Sequence, residues 1–211
     1  MEMKSFLYKD LIDVSEFKDE GEKLRKNYNL MPQGIEIKYK KTRGKFNLES
    51  TTIPTQVPNS ICIYSNPIYY VMHYKIKKKL EKRLGKRLYP TYYFERVYLN
   101  GQGLKKHIDR GACEVSVSLH LSSNIDKDWH IYFNHGDRIV SYKCDIGDAV
   151  VYNGVEIQHW REELRCQKNQ YYHQIFFHYV DADGKYAHFA LSLIHISSPR
   201  DVSLSRMPSS A

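Results

Sequence analysis

A histidine and an aspartate two residues apart, His107 and Asp109, begin the segment HIDRGACEVSVSLHL, which continues as an alternating apolar stretch. Residues i and i+2 of an extended chain face the same side, so the imidazole and the carboxylate should point toward one place. Together they supply two ligands of a 2-His-1-carboxylate site, which binds Fe(II) and leaves coordination positions open. The spacing therefore predicts part of a metal centre at the head of a β-strand.

The third ligand of such a site has to come from a later strand. His159 follows a turn, an apolar strand and a second turn in the segment DIGDAVVYNGVEIQ. We therefore predict His107, Asp109 and His159 as the metal ligands. A second His-x-Asp pair, His135 and Asp137, lies in the segment NHGD, where a tight hairpin turn is the simpler explanation.

The elements that must position these ligands are mostly short strands. From Tyr89 onward, β-rich segments alternate with turns that contain Gly, Asn and Asp, which is typical of a sandwich or barrel. The chain before Tyr89 looks mixed, and we predict helices over 14–30 and 67–87 with a loop over 51–60.

Composition restricts the class of protein. The chain has 211 residues and 13% aromatic residues, which favours an ordered globule with a full core over a disordered chain. No apolar run approaches the roughly 18 residues that span a bilayer, and the N-terminal segment lacks the apolar core of a signal peptide. The lack of such a run predicts no membrane partner. The four cysteines form no CxxC pair, so we expect reduced thiols and a cytoplasmic location.

The net charge of +8 is concentrated in residues 75–87, KIKKKLEKRLGKR. Apolar residues four apart predict one buried stripe of a helix there, and the other faces are basic. A solvated face of a docked helix is the simpler interpretation. A docking surface for nucleic acid or another acidic partner is the alternative, although no recognised nucleic-acid-binding motif supports it.

Residues 191–211 differ in composition from everything before them. They are rich in serine and resemble the conceptual translation of a sequencing adapter. We expect them to be a non-native tail, with a genuine disordered tail as the alternative.

Several segments in combination resemble the Fe(II)- and 2-oxoglutarate-dependent oxygenase superfamily, nearest to its prolyl-hydroxylase-like branch of bacterial and phage proteins. The resemblance covers about 66–186 and is carried by YPTYYFERVYLNGQGLKKHIDRGACEVSVSLHLS, CDIGDAVVYNGVEIQHWREEL and QIFFHYVDADG. A tyrosine-rich strand, the His-x-Asp pair, a Gly-Asp turn, a distal histidine and a final aromatic strand follow the family's order.

The fold implied by this resemblance is mainly β (α+β): a double-stranded β-helix, or cupin-like jelly-roll, braced by N-terminal helices. It implies a single oxygenase domain over 1–190, with a helical N-terminal part over 1–88 and a jelly-roll core over 89–186.

The activity implied by the resemblance is that of a hydroxylase. His107, Asp109 and His159 carry over as iron ligands, and 2-oxoglutarate is the implied cosubstrate, cleaved to succinate and CO2 as a C–H bond is hydroxylated. We expect a peptide side chain or a small metabolite as substrate. The alternatives are a cupin-like metal-binding protein without oxygenase activity and a nucleic-acid-directed oxygenase that uses the basic helix 75–87.

The far carboxylate of 2-oxoglutarate requires a buried cation, preferably one that binds it through two hydrogen bonds. Many members of the family place Arg or Lys at the head of the final strand, and this chain departs from that pattern. Arg161 and Lys168 are the candidates, of which we favour Arg161 for its guanidinium geometry. A surface salt bridge is the alternative for either residue. Tyr98 matches a family position that contacts the cosubstrate, with core packing as its alternative.

Overall fold

The computed structural model of the protein describes residues 4–190, which form twelve β-strands and two α-helices. Short 3-10 turns at Ser15–Phe17, Pro67–Tyr69 and Gly111–Cys113 complete the regular structure of this part. The strands and helices in chain order are β1 (Phe6–Tyr8), α1 (Glu20–Tyr28), β2 (Ile35–Thr42), β3 (Lys45–Thr52), β4 (Ile61–Tyr64), α2 (Tyr70–Leu84), β5 (Leu88–Tyr98), β6 (Leu104–His107), β7 (Val115–Ser123), β8 (Ile131–Asn134), β9 (Ile139–Tyr142), β10 (Ala149–Tyr152), β11 (Gln158–Arg161) and β12 (Tyr172–Asp181).

The strands form two sheets. The larger sheet has the order β1-β10-β7-β12-β5-β4-β2-β3, and the smaller one has the order β6-β11-β8-β9. From β5 onward the chain passes back and forth between the two sheets, and every pairing among these strands is antiparallel. This is the predicted double-stranded β-helix, and its mainly β character is confirmed.

The larger sheet has one face packed against α2 and one face turned toward the smaller sheet. Side chains of β7 alternate between the two. The apolar residues of β7 join those of α2 in one buried cluster, together with Ile175 and Phe177 of β12; the β7 members are Val115, Val117, Leu119 and Leu121, and the α2 members include Met72, Ile76 and Leu80. The alternate positions of β7 carry polar side chains, which are also buried. The predicted bracing of the larger sheet by a helix is therefore present.

The basic residues of α2 lie on its solvent side. Lys75, Lys78 and Lys82 are exposed, whereas the apolar stripe of the helix is buried. The helix ends at Gly85, whose φ of 65° is the left-handed conformation common at helix C-termini. This arrangement agrees with the interpretation of a solvated face on a docked helix.

The N-terminal part contains strands that the sequence analysis did not predict. The two helices lie within the predicted ranges but are shorter, and β2, β3 and β4 extend the larger sheet beyond β5 while β1 pairs with β10 at its other edge. The helical part expected over 1–88 is therefore mixed. Ile35, Ile37 and Tyr39 of β2 alternate with charged residues, which is the pattern of a half-buried strand, so β2 was recognisable from the sequence. Most positions of β3 are exposed, and its pattern is less clear.

Three further expectations concern the whole chain. No helix among the described residues is long and apolar enough to cross a membrane. The four cysteines are free thiols in the structure. The predicted non-native tail, 191–211, lies outside the described residues.

The buried His73 of α2 should make stability depend on pH. Its ring packs against Tyr93, Phe177 and Tyr179, and Nε2 lies 3.2 Å from the carbonyl oxygen of His178. Burial lowers the pKa of His73 from 6.5 to about 3. Below pH 6.5, His73 therefore takes up a proton in the unfolded chain but not in the folded chain. As the pH falls, the free energy of unfolding decreases by about 1.4 kcal/mol per pH unit for each such group.

The slope of the unfolding free energy against pH reports the number of protons taken up on unfolding. We expect His73→Phe to lower this number by about one between pH 6 and pH 4. Urea denaturation at several pH values measures this slope. The matched variant His188→Phe, at an exposed histidine, should leave the slope unchanged. An equal slope in the His73 variant and the wild type would contradict the prediction.

Candidate metal centre

Pairing between β6 and β11 brings the two predicted histidine ligands together. His107 and His159 are direct partners in this antiparallel pair, and their ring centroids lie 4.4 Å apart. Oδ1 of Asp109 lies 3.4 Å from Nε2 of His107 and 3.8 Å from Nε2 of His159. The three side chains thus offer two nitrogens and one oxygen, all within 4.8 Å of one another.

Asp109 does not lie on the strand that the sequence analysis assigned to it. His107 ends β6 in the smaller sheet, Asp109 follows in the connection, and β7 begins only at Val115 in the larger sheet. The backbone N–H of Asp109 donates to the carbonyl oxygen of Gly154, 2.8 Å away. A Cβ at Gly154 would overlap Oδ2 of Asp109 and the carbonyl oxygen of Cys113, so glycine is required for this close approach.

Both histidine rings are oriented by backbone carbonyl groups. Nδ1 of His107 lies 2.8 Å from the carbonyl oxygen of Lys105, and Nδ1 of His159 lies 3.0 Å from that of Ile157. Because Nδ1–H donates to a carbonyl, the lone pair of each neutral ring is on Nε2, which faces the other ligands. Ser116 Oγ donates to Oδ2 of Asp109 over 3.1 Å, leaving Oδ1 directed at the histidines.

The ionisation states of the three groups suit a divalent cation. Burial opposes ionisation of Asp109, but the hydrogen bond with His107 and the nearby imidazoles of His159 and His178 outweigh it and lower the pKa of the carboxyl group. Burial lowers the pKa of His159, which is 1% exposed, so its ring is neutral at pH 7. For His107, burial lowers the pKa, but the hydrogen bond to Asp109 outweighs it and raises the pKa overall. His107 therefore holds its ring proton more tightly than a free histidine does, and a metal ion bound at Nε2 would displace that proton.

The ligands line a partly enclosed cavity of about 60 Å³ between the two sheets. The other residues of its wall come from β5, β6, β10, β12 and the segment before β4, and they are Gln56, Tyr92, Phe94, Arg96, Leu104, Tyr152, Phe176 and His178. Two nitrogen donors and one oxygen donor in a partly enclosed cavity fit a non-haem Fe(II) site.

A second group of buried polar side chains surrounds Arg161, which follows His159 by two residues on β11. Arg161 is 3% exposed, and its guanidinium lies over the rings of Trp129 (4.5 Å) and Tyr172 (4.9 Å). Nη1 donates to the carbonyl oxygen of Trp129 over 2.9 Å. Within the described part of the chain, Nε of Arg161 and the hydroxyl of Tyr172 have no hydrogen-bond partner. Two unpaired donors at a buried cation favour a bound anion.

Several solved structures have the same architecture. An oxidoreductase of the 2OG-Fe(II) oxygenase family from Burkholderia pseudomallei is 11% identical with a TM-score of 0.55, over 83% of this chain and 84% of that one. A prolyl-4-hydroxylase from Pseudomonas putida is 10% identical with a TM-score of 0.53, over 85% and 93%. HygX from Streptomyces hygroscopicus, solved with nickel and 2-oxoglutarate bound, is 9% identical with a TM-score of 0.53, over 86% and 84%. The chain has the fold of the 2OG-Fe(II) oxygenases.

The similarity to these proteins lies in the structure rather than in the sequence. No protein-family model matches the chain, and a search of curated proteins finds no match. The oxygenase fold is therefore established by the arrangement of the two sheets.

Within this oxygenase fold, the remaining predicted residues have distinct surroundings. Tyr98 is fully buried, with its hydroxyl 3.5 Å from Nη1 of Arg96 and its ring 4.9 Å from that of Trp129. Lys168 is exposed in the turn before β12, so its ammonium group lies in solvent and is not the buried cation that a carboxylate requires. His135 lies in the turn between β8 and β9, as expected, and contacts Ser5 Oγ at 2.8 Å.

The sequence analysis missed two residues of the metal cavity, Arg96 and His178. Both face the inside of the barrel from β5 and β12, and both carry a buried nitrogen without a partner among the described residues, Nε of Arg96 and Nε2 of His178. The segment YYFERVYL did contain a signal, because a charged residue in the middle of an aromatic strand is rarely buried without a purpose. What the sequence did not reveal was the face on which Arg96 lies.

Alanine in place of His107 or Asp109 should abolish metal binding, since each replacement removes one of three donors. We expect the affinity for Fe(II), or for Zn²⁺ as a stable substitute, to fall by more than roughly a hundredfold. Anaerobic equilibrium dialysis followed by metal analysis measures this. His135→Ala serves as the matched control and should bind metal as the wild type does. Loss of metal from the His135 variant alone would place the site in the β8–β9 turn.

Proposed function

We propose that the protein is an Fe(II)- and 2-oxoglutarate-dependent dioxygenase that hydroxylates a C–H bond of a small metabolite or a peptide side chain. The observation that carries this proposal is the convergence of His107, Asp109 and His159 in the partly enclosed cavity of an oxygenase fold. Bound Fe(II) would supply the activation of dioxygen, coupled to conversion of 2-oxoglutarate to succinate and CO2.

The three proposed iron ligands have different tasks. His107 and His159 present Nε2 as neutral donors, held in place by the carbonyl groups of Lys105 and Ile157. Asp109 supplies a negative charge that offsets part of the charge of the ion. A set of three protein ligands leaves positions on the metal open for cosubstrate and dioxygen.

Arg161 is the residue that we propose for the far carboxylate of 2-oxoglutarate. It is buried, its one hydrogen-bonding partner is a carbonyl oxygen, and its Nε is unpaired in the described part of the protein. The surface salt bridge considered as its alternative is not formed, because Arg161 does not reach the surface. The guanidinium lies over the ring of Tyr172, and the unpaired hydroxyl of Tyr172 would donate a second hydrogen bond to the same carboxylate.

Buried positive charge also bears on the two alternative functions. A metal-binding protein without oxygenase activity would have no need for a buried cation inside the barrel, and Arg161 supplies one. The basic helix does not favour a nucleic-acid substrate, because α2 packs on the face of the larger sheet that is turned away from the metal cavity. Its exposed lysines therefore do not border the proposed reaction site.

Turnover of 2-oxoglutarate tests the proposed reaction. We expect the wild-type protein with Fe(II), 2-oxoglutarate and dioxygen to release succinate slowly without substrate and faster with a substrate, and Asp109→Ala to release none. Succinate is measured by mass spectrometry, with peptides and metabolites screened as accelerators. A metal-loaded wild type that neither binds 2-oxoglutarate nor forms succinate would contradict the proposed activity.

Arg161→Ala should weaken 2-oxoglutarate binding because the buried carboxylate would lose its charged partner. A loss of about 2–3 kcal/mol corresponds to a rise of roughly 30- to 150-fold in the dissociation constant. Calorimetry on the Zn²⁺-loaded protein measures this constant without turnover. Lys168→Ala is the control and should bind 2-oxoglutarate unchanged. If the Lys168 variant is the weakened one, the assignment of Arg161 is wrong.

A further inference from the structure

A second buried arginine, Arg96 of β5, lines the cavity of the metal ligands. Arg96 is 1% exposed and shares this cavity with His107, Asp109 and His159. Its side chain points to the inside of the barrel, on the same face of β5 as Phe94 and Tyr98, as the alternation of a strand requires. A positive charge is therefore fixed in the wall of the proposed reaction site.

The hydrogen-bonding partners of Arg96 are neutral groups. Nη2 donates to Oε1 of Gln56 over 3.0 Å and lies 3.9 Å from Sγ of Cys62, while Nη1 is 3.5 Å from the hydroxyl of Tyr98. Burial raises the pKa of the Cys62 thiol to about 11, so that group carries no charge at pH 7. Nε has no partner within residues 4–190. Burial of a guanidinium among neutral groups destabilises the fold unless an anion neutralises its charge and accepts its remaining hydrogen bonds.

Neighbouring acidic side chains are already committed to other groups. Glu95 points to the opposite face of the sheet, where His173 lies 2.8 Å and the hydroxyl of Tyr69 lies 3.0 Å from its carboxylate. Asp109 contacts both histidine ligands and accepts a hydrogen bond from Ser116. The anion that completes Arg96 should therefore come from a bound molecule.

Two buried arginines inside one barrel call for two anionic groups. Arg161 lies beside Trp129 and Tyr172, whereas Arg96 lies beside the metal ligands and Gln56. The far carboxylate of 2-oxoglutarate accounts for Arg161 in the proposed function, and its other end would be taken up by the metal. Arg96 is then left without a partner from the cosubstrate.

We propose that Arg96, assisted by Gln56, binds an anionic group of the primary substrate, a carboxylate in the first instance, and so holds that substrate beside the metal. This inference rests on the proposed function and narrows it to substrates that carry a negative charge close to the hydroxylated carbon. A prolyl or other side chain in the middle of a neutral peptide lacks such a group, whereas a free amino acid, an organic acid or an acidic side chain has it.

The surroundings of the cavity suit this class of substrate. Leu104 and Gln56, the hydrogen-bonding partner of Arg96, line both the metal cavity and an adjoining open groove of about 620 Å³. The guanidinium of Arg110 lies 4.8 Å from the ring of Tyr92, another residue of the cavity wall, and adds a second positive charge on this side. Positive charge at a cleft attracts anionic ligands and raises their local concentration.

Acetate is a suitable probe because it carries a carboxylate and little else. The Zn²⁺-loaded protein is titrated with sodium acetate at constant ionic strength, with and without saturating 2-oxoglutarate, while the arginine Nε–H resonances are followed by NMR. Arg96→Lys identifies the Arg96 resonance by its loss, and through-bond assignment in the wild type replaces that step if the variant does not fold. Arg138→Lys, at an exposed arginine of the β8–β9 turn, is the control and should leave the acetate response intact.

We expect acetate to shift the Arg96 resonance equally in both conditions, and 2-oxoglutarate to shift that of Arg161. Calorimetry should show acetate affinity falling at least roughly tenfold in Arg96→Gln, with the dissociation constant of 2-oxoglutarate changed less than about twofold.

An Arg96 resonance that does not shift with acetate would indicate that the residue has only a structural role. A response that disappears with 2-oxoglutarate would assign Arg96 to the cosubstrate. Either result overturns the inference, whereas failure of the proposed function appears separately, as an Arg161 resonance unaffected by 2-oxoglutarate.

Discussion

The register between β6 and β11 is the constraint on which the site depends. It places His107 opposite His159, so that two residues far apart in the chain present Nε2 to one point. Because side chains alternate along a strand, a slip of one residue would turn one imidazole away from the other and remove the site. β11 is held from both sides, by β6 and by β8, where His159 lies opposite Phe133. Of the three proposed ligands, His159 therefore lies on a strand that is fixed within the sheet, whereas His107 lies on the edge strand β6.

Stability and chemistry are assigned to opposite faces of the larger sheet. Its outer face packs Val117, Leu119 and Phe177 against α2, in the largest continuous apolar cluster of the described chain. Its inner face carries serines, histidines and Arg96, which have few partners of their own among the described residues. Polar groups buried in this way weaken a fold, so the apolar outer face must offset their cost. Some of these polar groups, among them Arg96 and His178, line the cavity of the proposed metal ligands.

The sequence was most informative where the chemistry is local. His107 and Asp109 are two residues apart, and their donor types are few, so the pair could be recognised before its strand was known. Turn residues between short strands similarly predicted a sandwich or barrel without any knowledge of strand order, and the jelly-roll was implied by the family resemblance. The position of Asp109 was less accurate, because the sequence gives no clear sign that a 3-10 turn separates the pair from β7.

Properties that depend on strand order and facing were not predictable in the same way. Arg96 lines the metal cavity only because β5 lies next to β12 and turns alternate residues inward. Lys168 was a candidate from its distance along the chain, but the connection after β11 leaves it in solvent. The alternation of β2 was a signal that the sequence analysis overlooked, but the place of β2 and β3 in the sheet depends on pairing with β4 and with each other.

Gly154 shows how the least reactive residue of a site can restrict its evolution. Its missing side chain leaves the space in which the Asp109 carboxylate lies, and its carbonyl oxygen holds the Asp109 backbone. A larger residue would collide with that carboxylate and with the backbone carbonyl oxygen of Cys113 at once. Substitution at this position is therefore restricted both by the local fold and by the placement of a proposed metal ligand, although no atom of Gly154 is itself a ligand.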